Sequence, residues 1–339
     1  MLAATLNHLF RTVNHSFLSL FFLTSSEVRA AVLFSGASAK PAAIEGPKKY
    51  PRGLQESNAS IPTDGWDGHM HIIDPERYPL SADAVYTPSA HSVWDAVTFE
   101  NTINMKNIVV VQPSIYGFDN SALLDAIRAL GPDRSRGVVV FNATNIDNNT
   151  LVEWHSLGVR GVRLNLASTE KTPDIEVLRS EIVKYAAIIK PLGWMLQIYM
   201  TMDLLPGLQS TINGLGVKVC FDHFAQPSKP SDNSTMPFDP YSITGFQSLI
   251  DLLEQGNTYV KFSAPYRVDL ESSQLEVVAK EILRVRSDRA VFASDWPHTR
   301  FEGLDIKPFE ERCLEWAAEA GSVEKVFSTN AKSLWDICD

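Results

Sequence analysis

Cysteine is scarce in this chain. Cys220, Cys313 and Cys338 are its three cysteines in 339 residues, odd in number and far apart, so neither a disulfide framework nor a cysteine-based zinc site has the spacing it needs. The sequence lacks G-x-G-x-x-G and G-x-x-x-x-G-K-[ST], and with them the main support for dinucleotide or P-loop phosphate binding. There is no block of like charge. The formal net charge of -10 is spread along the chain, which argues against a long interface with nucleic-acid phosphate and leaves room for a local anion pocket. No short-period repeat is present, and the one concentrated apolar run, "FLSLFFL" from Phe17 to Leu23, is too short to span a bilayer.

What is present is ordinary for a globular protein: 45% hydrophobic and 21% charged residues, enough for one large core or two modest ones. The first 26 residues carry Arg11, no acidic residue and the apolar run, which resembles a signal h-region or a transit peptide. Ala, Ser, Pro and Gly then dominate, as in a linker or disordered leader. A misassigned start exon is a third reading. Residues 1–62 are therefore set apart as a leader, disordered or cleaved, and residues 63–339 as the folded domain. Asn142-Ala143-Thr144 and Asn148-Asn149-Thr150 match the glycosylation triplet, which arises by chance too often to establish secretion. The expected location is cytoplasmic, with a targeting peptide as the alternative.

From Trp66 onward short apolar runs alternate with longer segments of helical spacing. Strands are expected at 66–70, 107–111, 137–141, 161–165, 194–199, 217–221, 259–263 and 290–294. Helices are expected at 120–130, 174–193, 202–213, 245–256 and 273–286, where apolar residues recur every three or four positions. Repeated βα units imply a parallel sheet, and eight of them in roughly 270 residues fit an α/β TIM (β/α)8 barrel better than an open doubly wound sheet.

Chemistry in such a barrel gathers at the C-terminal strand ends. The first strand ends in "GHMHIID", where His69 and His71 fall on one face because side chains alternate along a strand. Gln112, Ser114 and Tyr116 follow the second strand, and Arg163 and Asn165 lie on the fourth. Gln197 and Tyr199 lie on the fifth, Asp222 and His223 on the sixth. Lys261, Ser263, Tyr266 and Arg267 belong to the seventh, Asp295 and His298 to the eighth. Each alone reads equally well as a cap, a structural ion pair or a core aromatic. Their recurrence at one end of one barrel points to a site. His69, His71, His223 and Asp295 suit two chemistries. As ligands they suit zinc or manganese with an open position for water. Without metal, Asp295 takes a proton from water while the imidazoles and an arginine polarise a carbonyl. The residue types do not choose between them.

The motifs "GHMHIID", "VVVQPSIYG", "GVRGVRLN", "VCFDHFAQP", "YVKFSAPYR" and "VFASDWPH", in that order, resemble the amidohydrolase-related (amidohydrolase 2) family over about residues 64 to 337, and within it the branch of 2-pyrone-4,6-dicarboxylate lactonase and galactarolactone-type enzymes. The resemblance implies a TIM barrel that hydrolyses a small lactone or cyclic acid. It implies Asp295 as the base that activates water, with His69, His71 and His223 around the carbonyl. It also implies Arg163, Arg267, Ser114, Tyr86 and Tyr199 as substrate-binding residues. That branch works without metal, and Gln197 stands where a metal-dependent relative tends to place a histidine.

Two departures stand out. Ala225-Gln226 occupies the place of a Gly-Arg pair, and "LASTEKT" follows "RLN" where a further arginine is expected, with Thr169 the nearest match. Replacing arginine by glutamine removes a bidentate clamp, so the pyrone dicarboxylate itself is not the expected substrate. The expectation is a metal-independent lactonase for a small oxygen-rich acid, aromatic or polyketide-derived as in secondary metabolism, with no cofactor, no nucleic acid and no membrane partner. The competing readings are a metal-dependent decarboxylase or amide hydrolase binding zinc or manganese through His69, His71, His223 and Asp295, and a catalytically silent barrel that binds a ligand or partner.

Overall fold

The computed structural model describes residues 59–166, 174–230 and 237–337. Eight strands form one sheet: β1 (Trp66–Met70), β2 (Asn107–Val111), β3 (Ser135–Val139), β4 (Val159–Asn165), β5 (Met195–Tyr199), β6 (Val219–Phe221), β7 (Thr258–Phe262) and β8 (Ala290–Phe292). Every neighbouring pair is parallel and the order follows the sequence, which is the expected (β/α)8 barrel. Among the described residues the helices are α1 (Val93–Thr102), α2 (Ser121–Leu130), α3 (Asn148–Leu157), α4 (Ile175–Ile189), α5 (Leu205–Gly214), α6 (Phe246–Glu254), α7 (Ser272–Arg286), α8 (Lys307–Glu319) and α9 (Asn330–Leu334). None is long and apolar enough to cross a membrane.

Alternation along the strands sorts the core. Ile108 and Val110 face the helices, whereas Val109 and Val111 join Trp66, Val138, Met195, Cys220, Tyr259 and Val291 inside the barrel, with Trp335 packed among them. Side chains also start the helices: Asp147 accepts from Asn149 and Thr150 N–H at α3, and Ser92 and Asp95 form a capping box at α1.

The β1–β8 seam closes without a regular ladder. His71 N–H donates to Trp296 O at 2.8 Å, and Asp295 N–H donates to His69 O at 2.9 Å. Asp67 supplies what the ladder lacks: its Oδ1 accepts from His69 N–H at 3.0 Å and Ser294 N–H at 2.9 Å. Gly68 is required here, because a Cβ would lie 2.9 Å from Phe292 O and 3.0 Å from the Trp335 ring.

β1 and β2 match their expected spans, and the other strands move at one or both ends. β3 starts two residues early because Ser135 pairs with Ile108 on β2 and anchors its hydroxyl on Gly131 O. Helices α1, α3, α8 and α9 were not anticipated. Nearly all of the expected leader, together with Thr169 and Cys338, lies outside the described residues.

Candidate active site

Asp295 follows β8, and its two oxygens face different partners. Oδ2 accepts from Tyr266 Oη–H at 2.7 Å and from Arg267 Nε–H at 2.7 Å. Oδ1 faces three imidazoles: His69 Nε2 at 3.7 Å, His71 Nε2 at 3.8 Å and His223 Nε2 at 3.8 Å. These separations exceed a hydrogen bond. All four side chains are buried.

The opposite nitrogens set what each ring offers. His71 Nδ1 lies 2.8 Å from Val111 O. A carbonyl only accepts, so neutral His71 carries its proton on Nδ1 and presents a lone pair at Nε2. His223 Nδ1 is 2.8 Å from Ser263 Oγ. His69 Nδ1 lies 3.4 Å from both Asp222 Oδ1 and Lys261 Nζ, so each tautomer of that ring has a partner. Burial lowers His71 and His223 to about 4, although Asp295 opposes it. Burial, with the charge of Lys261, holds His69 well below the ordinary imidazole range. For Asp295 burial acts upward, but Arg267 and then the imidazoles outweigh it, leaving the carboxyl well below the usual range. Near neutral pH the centre is an ionised carboxylate among neutral rings.

Beneath it Asp222 gathers a second set of charges. Its Oδ2 accepts from Arg163 Nε–H and Gln197 Nε2–H, both at 3.1 Å, and Lys261 Nζ lies 3.4 Å from Oδ1. Lys261 is fully buried, which lowers its pKa against the pull of Asp222.

The structure brings most of the anticipated binding residues to this point. The Arg163 guanidinium stands 5.6 Å over the Tyr199 ring, and Tyr199 lies edge-on 5.1 Å from His223. Arg267 is turned to Asp295 and, through Nη2, to Thr299 O at 3.0 Å. Ser114 is exposed in the turn after β2. Tyr86 lies half-buried in the loop after β1, with the Arg300 guanidinium 5.4 Å over its ring. Neither bonds to the imidazole–carboxylate cluster among the described residues. Gln226 donates its side-chain amide to Arg267 O, holding that loop's backbone.

Backbone strain concentrates at the same strand ends. His223, Ala264, Asp295 and His298 have φ of 52°, 45°, 63° and 60°, a region that costs non-glycine residues about 1–3 kcal/mol each and clusters at working sites. Two further side chains from the strand ends, Tyr266 and His298, join the centre. Tyr266 bonds Asp295 and also lies 3.1 Å from His298 Nδ1. His298 is buried, lowered to about 4 chiefly by burial. Their spacing, four residues after Phe262 and three after Asp295, is the signal that placed them on one rim.

A parallel barrel with converging imidazoles and a carboxylate at its strand ends carries its site where barrel enzymes carry theirs. The profile of the Amidohydrolase family matches residues 66–337, and the chain belongs to that family. It is 27% identical over 252 residues to the 2-pyrone-4,6-dicarboxylate hydrolase of Comamonas testosteroni, spanning 70% of this chain and 78% of that protein. It is 26% identical over 257 residues to the 4-sulfomuconolactone hydrolase of Hydrogenophaga intermedia, spanning 73% and 78%. The crystal structure of an Agrobacterium tumefaciens protein shares the fold, with a TM-score of 0.70 and 17% identity over 82% of this chain and 98% of that one.

Proposed function

We propose that this protein is a hydrolase that opens a small anionic lactone, with Asp295 as the base. The observation that carries the reading is the division of labour at Asp295: one oxygen is held by Tyr266 and Arg267, and the other faces three imidazole nitrogens. The relatives named for hydrolysing 2-pyrone-4,6-dicarboxylate and 4-sulfomuconolactone support a ring ester bearing acidic groups.

In this reading a water donates one hydrogen to Asp295 Oδ1 and the other to the lone pair of His71 Nε2. Its oxygen attacks the lactone carbonyl as its proton passes to Asp295. Ser263 Oγ, 2.8 Å from His223 Nδ1, is able to donate to it, and in that tautomer His223 Nε2–H donates to the developing oxyanion, with Arg163 completing its stabilisation. Collapse breaks the ring C–O bond, and the proton on Asp295 passes to the departing oxygen. His71 thus orients water, a narrower role than the shared carbonyl polarisation anticipated for all three rings.

The donor set also fits a divalent cation, because ligand atoms of His69, His71 and Asp295 lie within 4.8 Å of one another. Those residues would hold it, and it would acidify a bound water. Charge balance favours metal-independent operation. Arg163, Arg267 and Lys261 against Asp222 and Asp295 leave three cations to two carboxylates, a net +1 before substrate. One substrate acid group neutralises that excess, whereas a divalent ion would raise it to +3 in a buried site.

The test is Asp295→Asn assayed against lactones bearing a carboxylate or sulfonate. Turnover should fall by about 100- to 10,000-fold, the usual weight of a general base, while the circular dichroism spectrum is unchanged. Retained turnover sinks the assignment.

A further inference from the structure

Behind the seam lies a second carboxyl pair that the reaction does not use directly. Glu100 on α1 is fully buried, and neither of its oxygens receives a hydrogen bond from an N–H or O–H donor. Its carboxyl meets that of Asp67. Asp67 is equally buried; Oδ1 receives the two seam amides, and Oδ2 is without a donor. Two buried carboxyls in contact, with both oxygens of Glu100 and one of Asp67 lacking a donor, are joined by one shared proton that bridges an oxygen of each. Other charged groups around Glu100 agree: Glu310 adds negative charge and Arg134 opposes it, but burial and Asp67 dominate and hold the Glu100 carboxyl well above its ordinary range.

The position of Asp67 gives this pair its consequence. Its Oδ1 ties His69 to Ser294, the residue before Asp295, where β1 and β8 meet without a regular ladder. We propose that Glu100 is a positioning residue for the active centre: its carboxylic acid donates to Asp67 Oδ2, which keeps Asp67 in place to clamp the seam and aim His69 and Asp295 at one point. This rests on the reading of Asp295 and the imidazoles as the reaction centre, and is independent of which lactone is the substrate.

Glu100→Gln keeps a donor of the same shape, whereas Glu100→Met fills the space without one. The Gln variant should retain kcat within about threefold, and the Met variant should lose about 10- to 100-fold in kcat with KM little changed, the scale of a small misplacement of reacting groups. Hydrogen exchange of residues 66–71 and 292–297 gives a readout without substrate: protected in wild type and Gln, faster in Met, with exchange elsewhere unaltered. The infrared carbonyl band of a protonated carboxylic acid should be weaker in Gln than in wild type at neutral pH. A Gln variant as impaired as Met, or a Met variant unimpaired in both turnover and seam exchange, overturns the proposal. If Met does not fold, Gln alone decides, with lost seam protection overturning it. A wild-type protein inert toward lactones would defeat the functional reading while seam exchange still judged Glu100.

Discussion

Arg267 Nε sits 2.7 Å from Asp295 Oδ2, the oxygen that Tyr266 also holds, so that Oδ1 is the oxygen left facing the three imidazoles. The guanidinium also reaches Thr299 through Nη2, a two-point hold that a lysine ammonium cannot reproduce. Arg267→Lys should therefore lower kcat by about tenfold, equivalent to ~1.4 kcal/mol. Because Arg267 is the largest influence holding Asp295 low, the acid limb of kcat against pH should move upward. An unmoved limb would separate Arg267 from the base.

Arg163 has a different expected signature. Its Nε is engaged with Asp222 and its guanidinium lies over the Tyr199 ring, and in the proposed reaction its Nη groups take the substrate anion. Arg163→Lys keeps the charge and loses the fork. KM for an anionic lactone should rise by about tenfold and kcat should fall as well, because the same guanidinium helps hold the oxyanion, whereas a neutral lactone should lose kcat with little change in KM.

Asp222 tests the charge balance through stability. Removing it leaves Arg163 and Lys261 buried beside each other without their carboxylate. Asp222→Ala should destabilise the fold by about 3–5 kcal/mol, read by urea unfolding. A loss below about 1 kcal/mol would mean the two cations are far better solvated than their burial implies.

Glu310 gives a pH dependence of stability. Burial pushes its carboxyl up to about 8 from an ordinary 4.5, so between those values the folded chain keeps a proton that the unfolded chain releases. That contribution to stability is complete below 4.5 and is lost as pH rises through about 8. Glu310→Gln should remove this part of the slope, making the variant more stable than wild type at about pH 9 but not at about pH 4.5, as followed by thermal melts.

The barrel and most of its rim were legible because strands buried on both faces read as apolar runs, as in "NIVVV", which matches β2 residue for residue. Of the helices without a periodic signal in the sequence, α1 and α3 present little apolar face. α1 buries Ala96 and Glu100, and α3 buries Leu151 alone. α8 has Phe309, Cys313, Trp316 and Ala317 at helical spacing, interrupted by charge. Tertiary contacts decide the rest. Nothing local in "DGHMH" says that Asp67 turns to the seam, and no pattern in "VWDAVTFENT" marks Glu100 as buried, since a glutamate reads as solvated until packing shows otherwise. The His71 tautomer likewise depends on Val111 O, forty residues away.

The most direct test of the central claim is lactone turnover by protein stripped of zinc, manganese and iron and verified by elemental analysis. Undiminished ring opening by the metal-free chain is the predicted result, with Asp295 and the imidazoles acting on water and substrate themselves. Turnover that disappears on stripping and returns with zinc or manganese would contradict it and make His69, His71 and Asp295 metal ligands.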